Sequence, residues 1–337
     1  MRYHVMARGD RREDIFKSDR DRELFLETLG QACLRCGWLV HAWVLMNNHY
    51  HWILETPEAN LVEGMKWFQN AYTRRFNVKN KLWGHVFGGR YKAVLVQQPG
   101  RETDSIRYFA SLVDYVHLNP VRAGLIAKKG SLLDYRWSSL AQGYGVGSGK
   151  RPEWMEVEKA LEVFNLKDQA RDRRKFMERL EEIRWKKGDE SCGKGNVEGQ
   201  GLQSTLQRGW YWGSEEFKER LLRRLKKIPT KSNRGYRYGA QAQDHSEKRA
   251  EALLSEGLRH HGLNKEKLAE LRGSHPIKAE LAWILFSRTS VNQAWMAKRL
   301  GISNAANVSQ VIARWKIRHH KPKLPSWAEK NLSKYDS

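Results

Sequence analysis

Nowhere in its 337 residues does the chain offer a run of about 20 apolar side chains, the length that spans a bilayer. Its opening, MRYHVMARGD, also lacks the apolar centre of a signal peptide. The expectation is a cytoplasmic protein with no membrane partner. Cysteine is scarce, with three in all. Cys33 and Cys36 form a CxxC pair, but the pair falls inside an apparent helix and no second pair completes a zinc site, so both read as packing residues. Cys192 stands alone in a glycine-rich stretch. Acidic residues are the other shortage: 38 Asp and Glu face 61 Lys and Arg, a formal net charge of +23. Residues 1–150, 151–240 and 241–337 carry +8, +7 and +8, so the excess is spread over the chain rather than held in a tail. Such even basicity asks for a polyanion, and without a membrane signal that polyanion is nucleic acid, with a nucleoid-associated location. What the chain has in abundance is aromatic surface, 14 Trp and 12 Tyr. Such rings fill cores, and among cations they also stack on unpaired bases.

Periodicity organises the rest. Tyr3 to Arg8 alternates as a strand, and RGDRREDIF follows as a polar turn. From Asp19 to about Cys36, Leu24, Phe25, Leu26, Leu29, Ala32 and Cys33 recur at helical spacing behind an aspartate cap. Residues 38–46 and 46–54 read as two strands joined through Asn47-Asn48, which is good hairpin chemistry. Asn60 to Phe76 is predicted helical, Phe87 to Gln97 a strand, and Glu102 to Leu118 a third helix. The order strand, helix, two strands, helix, strand, helix predicts an α+β fold, an antiparallel sheet with helices on one face.

Beyond residue 150 the composition shifts. Residues 153–187 are charged and helical, and residues 188–213 are glycine-rich and read as a linker or long loop. Ser214 caps the basic helix SEEFKERLLRRLKKI, residues 229–244 are turn-rich, and Ser246 to His320 reads as a run of short helices. Three segments result: a sheet domain over 1–150, a charged helical and linker region over 151–245, and an all-α domain over 246–320. In the last, VNQAWMAKRLGISNAANVSQVIARWKIR gives an amphipathic helix from Val291 to Leu300, a turn at Gly301, an Asn or Ser cap, and a second amphipathic helix ending in Arg314, Lys316 and Arg318. That layout is a helix-turn-helix, whose second helix enters the DNA major groove. A plain helical hairpin has the same pattern. In the first reading Ser303, Asn304, Asn307, Ser309 and Gln310 reach base edges and Arg314 adds a cation for duplex DNA.

Two motifs carry chemistry. In MNNHYHWIL, residues 46–54, His49 and His51 share one face of a strand about 7 Å apart along the chain, while Tyr50 and Trp52 take the other. The spacing suits two ligands of one metal ion, and equally two imidazoles that find hydrogen-bond partners in a half-buried strand. In DYVHLNPVRAGL, residues 114–125, Tyr115 and Asn119 lie one turn apart on one helical face, and Pro120 ends that helix or opens the next. A phenol with a pKa near 10 attacks a phosphodiester only with help, and a cation that neutralises the non-bridging oxygens supplies it. Two His and a side-chain oxygen suit octahedral Mg²⁺ or Mn²⁺ better than a closed zinc site.

These motifs resemble those of the single-tyrosine HUH transposases, and specifically the REP-associated tyrosine transposases of bacteria. The matching text is YHVMARGDRREDIFKSDRDRELFL, MNNHYHWIL, GGRYKA at 88–93 and YVHLNPVRAGL, four motifs in order over about residues 1–140. The resemblance implies a ferredoxin-like or RRM-like palm with the histidine strand at its centre, which cuts single-stranded DNA beside a hairpin. By position, His49 and His51 would bind the metal, and Tyr115 would become joined to the 5′ phosphate, leaving a free 3′ hydroxyl. Related insertion-sequence enzymes carry a glutamine as third ligand; the position here is the shorter Asn119, with His117 a weaker substitute. Arg90, Lys92 and Arg122 would grip phosphates, though strand edges and helix ends also carry such charges. The partner implied is DNA, single-stranded and hairpin, for a monomer or homodimer. The rivals are a catalytically inactive regulatory or architectural DNA-binding protein and a metal-dependent RNA nuclease. The C-terminal helices resemble, in helix pattern and turn alone, the DNA-binding domain of the replication initiator family.

Overall fold

The computed structural model describes residues 1–99, 103–127, 129–189, 209–226, 234–320 and 322–332. Contacts divide the chain into two units: Met1–Cys33, Trp38–Pro57 and Met65–Lys231 in the first, and Leu34–Gly37, Glu58–Gly64 and Ser232–Ser337 in the second. The first opens with β1 (Arg2–Arg8), α1 (Asp19–Cys36), β2 (Leu39–Leu45), β3 (His49–Glu55), α2 (Leu61–Asn80), β4 (Lys92–Val96) and α3 (Thr103–His117). After the short α4 (Asn119–Arg122) come α5 (Glu158–Glu162), α6 (Ala170–Asp189), β5 (Tyr211–Trp212) and α7 (Glu215–Lys226). The sheet order is β2-β3-β1-β4-β5, with every pair antiparallel except β4 and β5. Asn47 and Asn48 do form the hairpin turn, closed by the Met46 N–H donating to the His49 carbonyl at 2.8 Å.

The pleat of β3 assigns its two faces. Tyr50 and Trp52 turn into an aromatic core with Phe25 of α1 and Phe68 of α2; all four are fully buried, and the Phe25 ring lies 5.1 Å from Tyr50 and 5.5 Å from Trp52. Aromatic pairs of this kind add about 0.5–1.5 kcal/mol each beyond their burial. The opposite face carries His51 and Ile53, and there Ala42, Val44, Val94 and Val96 pack on Phe109, Leu112, Val113 and Val116 of α3. A slip of one residue in register would drive both histidines into the aromatic core and expose Tyr50 and Trp52, so the ladder is fixed by its burial pattern.

The α+β reading stands, with differences in detail. Helices cover both faces of the sheet rather than one, because both faces of its central strands are buried: α1 and α2 cover the Tyr50 side, α3 the His51 side. The strand expected from Phe87 begins only at Lys92, since Gly89 turns the chain at φ +116 and Phe87 keeps a single bridge to Gly9. The stretch 153–187 breaks into α5 and α6 around Asn165, which sits at φ +56. Of the glycine-rich stretch 188–213, Tyr211 and Trp212 add an edge strand to the sheet; residues 190–208, with Cys192, lie outside the described residues. Ser214 does cap α7, its Oγ accepting the Phe217 N–H.

In the second unit α8 (Arg234–His260) runs through most of the 229–244 stretch expected as turns, where Arg, Ala and Gln favour a helix over the scattered glycines. Then follow α9 (Lys265–Glu270), α10 (Pro276–Arg288), α11 (Gln293–Leu300), α12 (Ala305–His319) and α13 (Ser326–Leu332). Leu254, Leu281, Leu285, Met296, Leu300 and Val308 form its core. Asn292 caps α11, Gly301 ends it at φ +60, and Asn304 caps α12 by accepting the Asn307 N–H. The buried Lys278 ammonium donates to the Gly301 carbonyl at 3.1 Å and holds that turn. No described helix is long and apolar enough to cross a membrane.

His117, fully enclosed beside Tyr144 and Phe176, gives a test of this packing. Burial holds its pKa down at about 3, against an ordinary value of 6.5. The unfolded chain therefore binds a proton that the folded chain refuses between about pH 6.5 and 3, so stability falls as pH drops through that window, by at most about 1.4 kcal/mol per pH unit from this residue. Urea titrations from pH 7 to pH 4 are expected to show this loss on top of that from the other buried histidines, and His117→Gln to make it shallower by one proton's share; an equally steep loss in the variant would contradict the burial of that ring.

Candidate active site

Tertiary structure brings together residues far apart in sequence. β1 pairs with β3 so that Met6 faces His51 and Arg8 faces His49, which puts His4, Met6 and Arg8 on the histidine face. α3 lies over this face and delivers Tyr115. The Tyr115 ring stands edge-on to His51 at 5.7 Å between centroids and to His4 at 6.1 Å, and His49 lies 5.1 Å from His51. Tyr115 is 9% exposed and His51 5%, while His49 is half-buried.

The hydrogen bonds around the two imidazoles define their free atoms. Asn48 Nδ2 donates to the Arg12 carbonyl at 2.8 Å, which turns its Oδ1 toward His49 Nδ1, also at 2.8 Å. An amide oxygen only accepts, so His49 carries its proton on Nδ1 and keeps a lone pair on Nε2. His51 Nδ1 meets His4 Nε2 at 2.9 Å, with the two rings stacked 5.1 Å apart and 5° from parallel. If the His51 proton sits on Nδ1, that N–H donates to His4 Nε2 and leaves a lone pair on His51 Nε2. Both imidazoles thus have Nδ1 engaged by the protein, the arrangement that orients histidine ligands at metal sites.

Electrostatics keeps these rings neutral. Burial first, and then the Arg8 cation, hold His49 down at about 4; burial and its neighbours His4, His49, Arg8 and Arg122 hold His51 well below its usual range. Burial and Lys92 bring His4 to about 3. Tyr115 moves the other way: burial raises its pKa, against the pull of Arg122 and Arg8. The Arg122 guanidinium lies 4.7 Å over the Tyr115 ring and also donates to its carbonyl at 3.3 Å.

The remaining expected residues divide. Asn119 sits at the start of α4, its Nδ2 donating to the Tyr115 carbonyl at 2.8 Å, so it braces the tyrosine turn. His117 is no substitute ligand: it points away from the site, with Nε2 on Ser139 Oγ at 2.8 Å. Lys92 pairs with Met6 and so shares the histidine face, whereas Arg90 is exposed on the preceding turn. Among the described residues no three His, Cys, Asp or Glu side chains gather as a metal site. His49 Nε2, together with His51 Nε2 in the tautomer whose Nδ1–H donates to His4, gives two neutral lone pairs that fit a divalent cation whose other ligands are oxygens. Ser303 and the cap Asn304 just before α12, and Ser309, Gln310 and Arg314 on it, are exposed, whereas Val308, Val311 and Ile312 are buried; Asn307 is half-buried with its amide on Ser303 Oγ at 2.7 Å.

Sequence reasoning missed His4 and Arg8, and it gave Asn48 a turn role only. The signal for the first two was present: positions 4, 6 and 8 of the first strand alternate onto one face, and YHVMARG puts a histidine and an arginine there. What the sequence did not state is which strand lies beside β3.

Residues 1–111 match the family of transposases described as IS200-like, a match that ends four residues before Tyr115. A solved structure of a REP-associated tyrosine transposase bound to a REP hairpin is similar at 16% identity, covering 45% of this chain and 82% of that one, with a TM-score of 0.34. No curated protein matches the chain.

The lowered histidine values have a direct check. As pH falls from 7 to 5, His49 and His4 are expected to stay neutral, because protonation waits until about pH 4 and 3. Two-dimensional NMR of ¹⁵N-histidine protein reads this ring by ring. Midpoints between 6 and 7 for these two would show that the pocket is wet and that the imidazoles are not held as described.

Proposed function

We propose that the chain, which matches IS200-like transposases over residues 1–111, is a DNA nickase and strand transferase. Its substrates are single-stranded DNA at hairpin or palindromic, REP-like sequences. The observation that carries the reading is the convergence of one tyrosine ring on two imidazoles whose Nε2 atoms are free, on the sheet face where no apolar residue replaces them.

His49 and His51 would hold Mg²⁺ or Mn²⁺, with Asn119 the candidate third ligand. Such a cation, when bound, neutralises the non-bridging oxygens of the scissile phosphate. The protein's own groups supply the rest. Tyr115 Oη bonds to phosphorus while the bond to the 3′ oxygen breaks, leaving a free 3′ hydroxyl and a 5′-phosphotyrosine. The Arg122 and Arg8 cations lower the cost of the phenolate that burial raises. Because Tyr115 is almost enclosed, water has poor access to the phosphotyrosine. Its phosphodiester survives until another 3′ hydroxyl displaces the tyrosine, with no outside energy source. Lys92, Arg90 and Arg122 would hold phosphates of the same strand. Since α3 and β3 belong to one chain, a monomer has the whole constellation, and a homodimer would carry two.

For the C-terminal helices the reading is duplex binding, with residues 246–320 separate in role from residues 1–150. The exposed row on α12 offers hydroxyl and amide groups to base edges and Arg314 to a phosphate. One observation favours a rival, a DNA-binding protein without chemistry: the described residues supply two strong ligands and no third of the His, Cys, Asp or Glu type.

Labelled hairpin DNA with Mn²⁺ separates the two. The wild type is expected to form a covalent adduct that survives denaturing gels and disappears in Tyr115→Phe. No adduct across metals and hairpins would favour the rival, and turnover without an adduct would point to a water nucleophile. The single-turnover rate is also expected to climb with pH, close to tenfold per unit from 7 to 9, because the phenolic pKa lies above 10 and the phenolate is the minor form throughout. In band-shift titrations the pair Gln310→Ala with Arg314→Ala should weaken duplex binding severalfold and leave adduct formation intact; loss of both activities together would end this division of roles.

A further inference from the structure

The most exposed large apolar side chain described is Trp83, at 91%. It does not sit on a loose loop. Lys81 ends α2 in the left-handed region at φ 53, and the Leu82 N–H returns to the Asn77 carbonyl at 2.9 Å. Asn77 Nδ2 then donates to the Gly84 carbonyl at 2.9 Å, across the tryptophan. Gly84 takes φ +93, a conformation that side-chain-bearing residues avoid, and nothing crowds its missing Cβ, so backbone freedom is what selects glycine there. Just beyond, Val86 and Phe87 are buried, with Phe87 6.1 Å from Tyr50 and 6.0 Å from Tyr72. The turn is tied at both ends and holds its indole out in water.

The surroundings state what the ring meets. Residues 64–99 contain seven Lys and Arg and no Asp or Glu. Arg74, Lys81 and Arg90 are exposed, and none of them makes an ion pair among the described residues. The turn also lies at the open end of the histidine face. The Asp10 N–H donates to the Val86 carbonyl at 3.0 Å and the Gly88 N–H to the Arg8 carbonyl at 2.9 Å, and Arg8 is the strand partner of His49. A rigid, solvated indole, with Lys81 and Arg90 on the same stretch of chain exposed and free of ion pairs among the described residues, complements a strand whose bases are unpaired and whose backbone is anionic. A second copy of this chain, with the same positive charge, would be repelled.

We infer that Trp83 is a stacking platform for one base of the single strand, with Lys81 and Arg90 on the flanking phosphates, at the entrance to the histidine and tyrosine site. This deepens the proposed function and rests on its single-stranded substrate, though not on cleavage.

The test uses the full chain and a labelled mixed-sequence single strand of about 20 nucleotides, read by fluorescence anisotropy at several salt concentrations. Trp83→Ala should raise Kd roughly 5- to 100-fold, with the slope of log Kd against log salt unchanged, because stacking releases no counterions. Trp83→Phe should recover most of the affinity. Lys81→Ala with Arg90→Ala should instead flatten the slope, by about 0.7 for each phosphate that is no longer neutralised. Wild-type affinity in Trp83→Ala would overturn the inference. So would weaker binding that appears only together with a change of oligomeric state in light scattering. Strong binding by the wild type without any adduct would defeat the nickase reading and leave this one standing.

Discussion

Everything in the first unit follows from the alternation of β3. Its even residues, Tyr50 and Trp52, are fixed among Phe25, Phe68 and Tyr72, and that aromatic core determines the register of the strand. Its odd residues are then obliged to face α3. A polar pair in the centre of a sheet is ordinarily a cost, and the strand keeps it because the other side holds the register so firmly. The candidate site is therefore built on a central strand whose register the aromatic core fixes.

The same packing imposes a penalty on the site face. His4 is fully buried, accepts or donates one hydrogen bond to His51, and leaves Nδ1 with no partner among the described residues. An orphaned buried polar group costs about 1–3 kcal/mol. Such a cost in the middle of a strand, where valine would fit, is the kind that persists when the ring orients another group. Around it the charges are of one sign. Arg8, Lys92 and Arg122 push the imidazole values down, and Arg122 and Arg8 offset part of the rise that burial causes in the Tyr115 phenol. The positive field thus adds to burial in keeping the nitrogens unprotonated and works against burial at the phenol.

In the proposed function, two sets of residues would handle DNA by different physics. At the site and its entrance, cations and a rigid indole suit a flexible, unstacked strand. On α12, short polar side chains stand in a row above a well-packed helix pair, a layout that suits the regular edges of a duplex. The two sets of residues fall in separate compact units.

Much of this was legible in the order of residues, because local periodicity reports local structure. The limits of α1, the Asn47-Asn48 hairpin, the Ser214 cap, the pairing of His49 with His51 on one face and the choice of Tyr115 all came from spacing or motif. The breaks were misread where glycine sets them: Gly89 delays β4, while the glycines near residue 235 fail to stop α8. What spacing could not supply is adjacency between distant segments. Only the fold lays β1 beside β3, which brings His4 and Arg8 to the site, turns His117 away toward Ser139, ties Asn119 Nδ2 to the Tyr115 carbonyl, and adds Tyr211 and Trp212 to the sheet edge. Side-chain periodicity is a property of one segment, whereas a site is a meeting of several, decided by which apolar faces must be buried together.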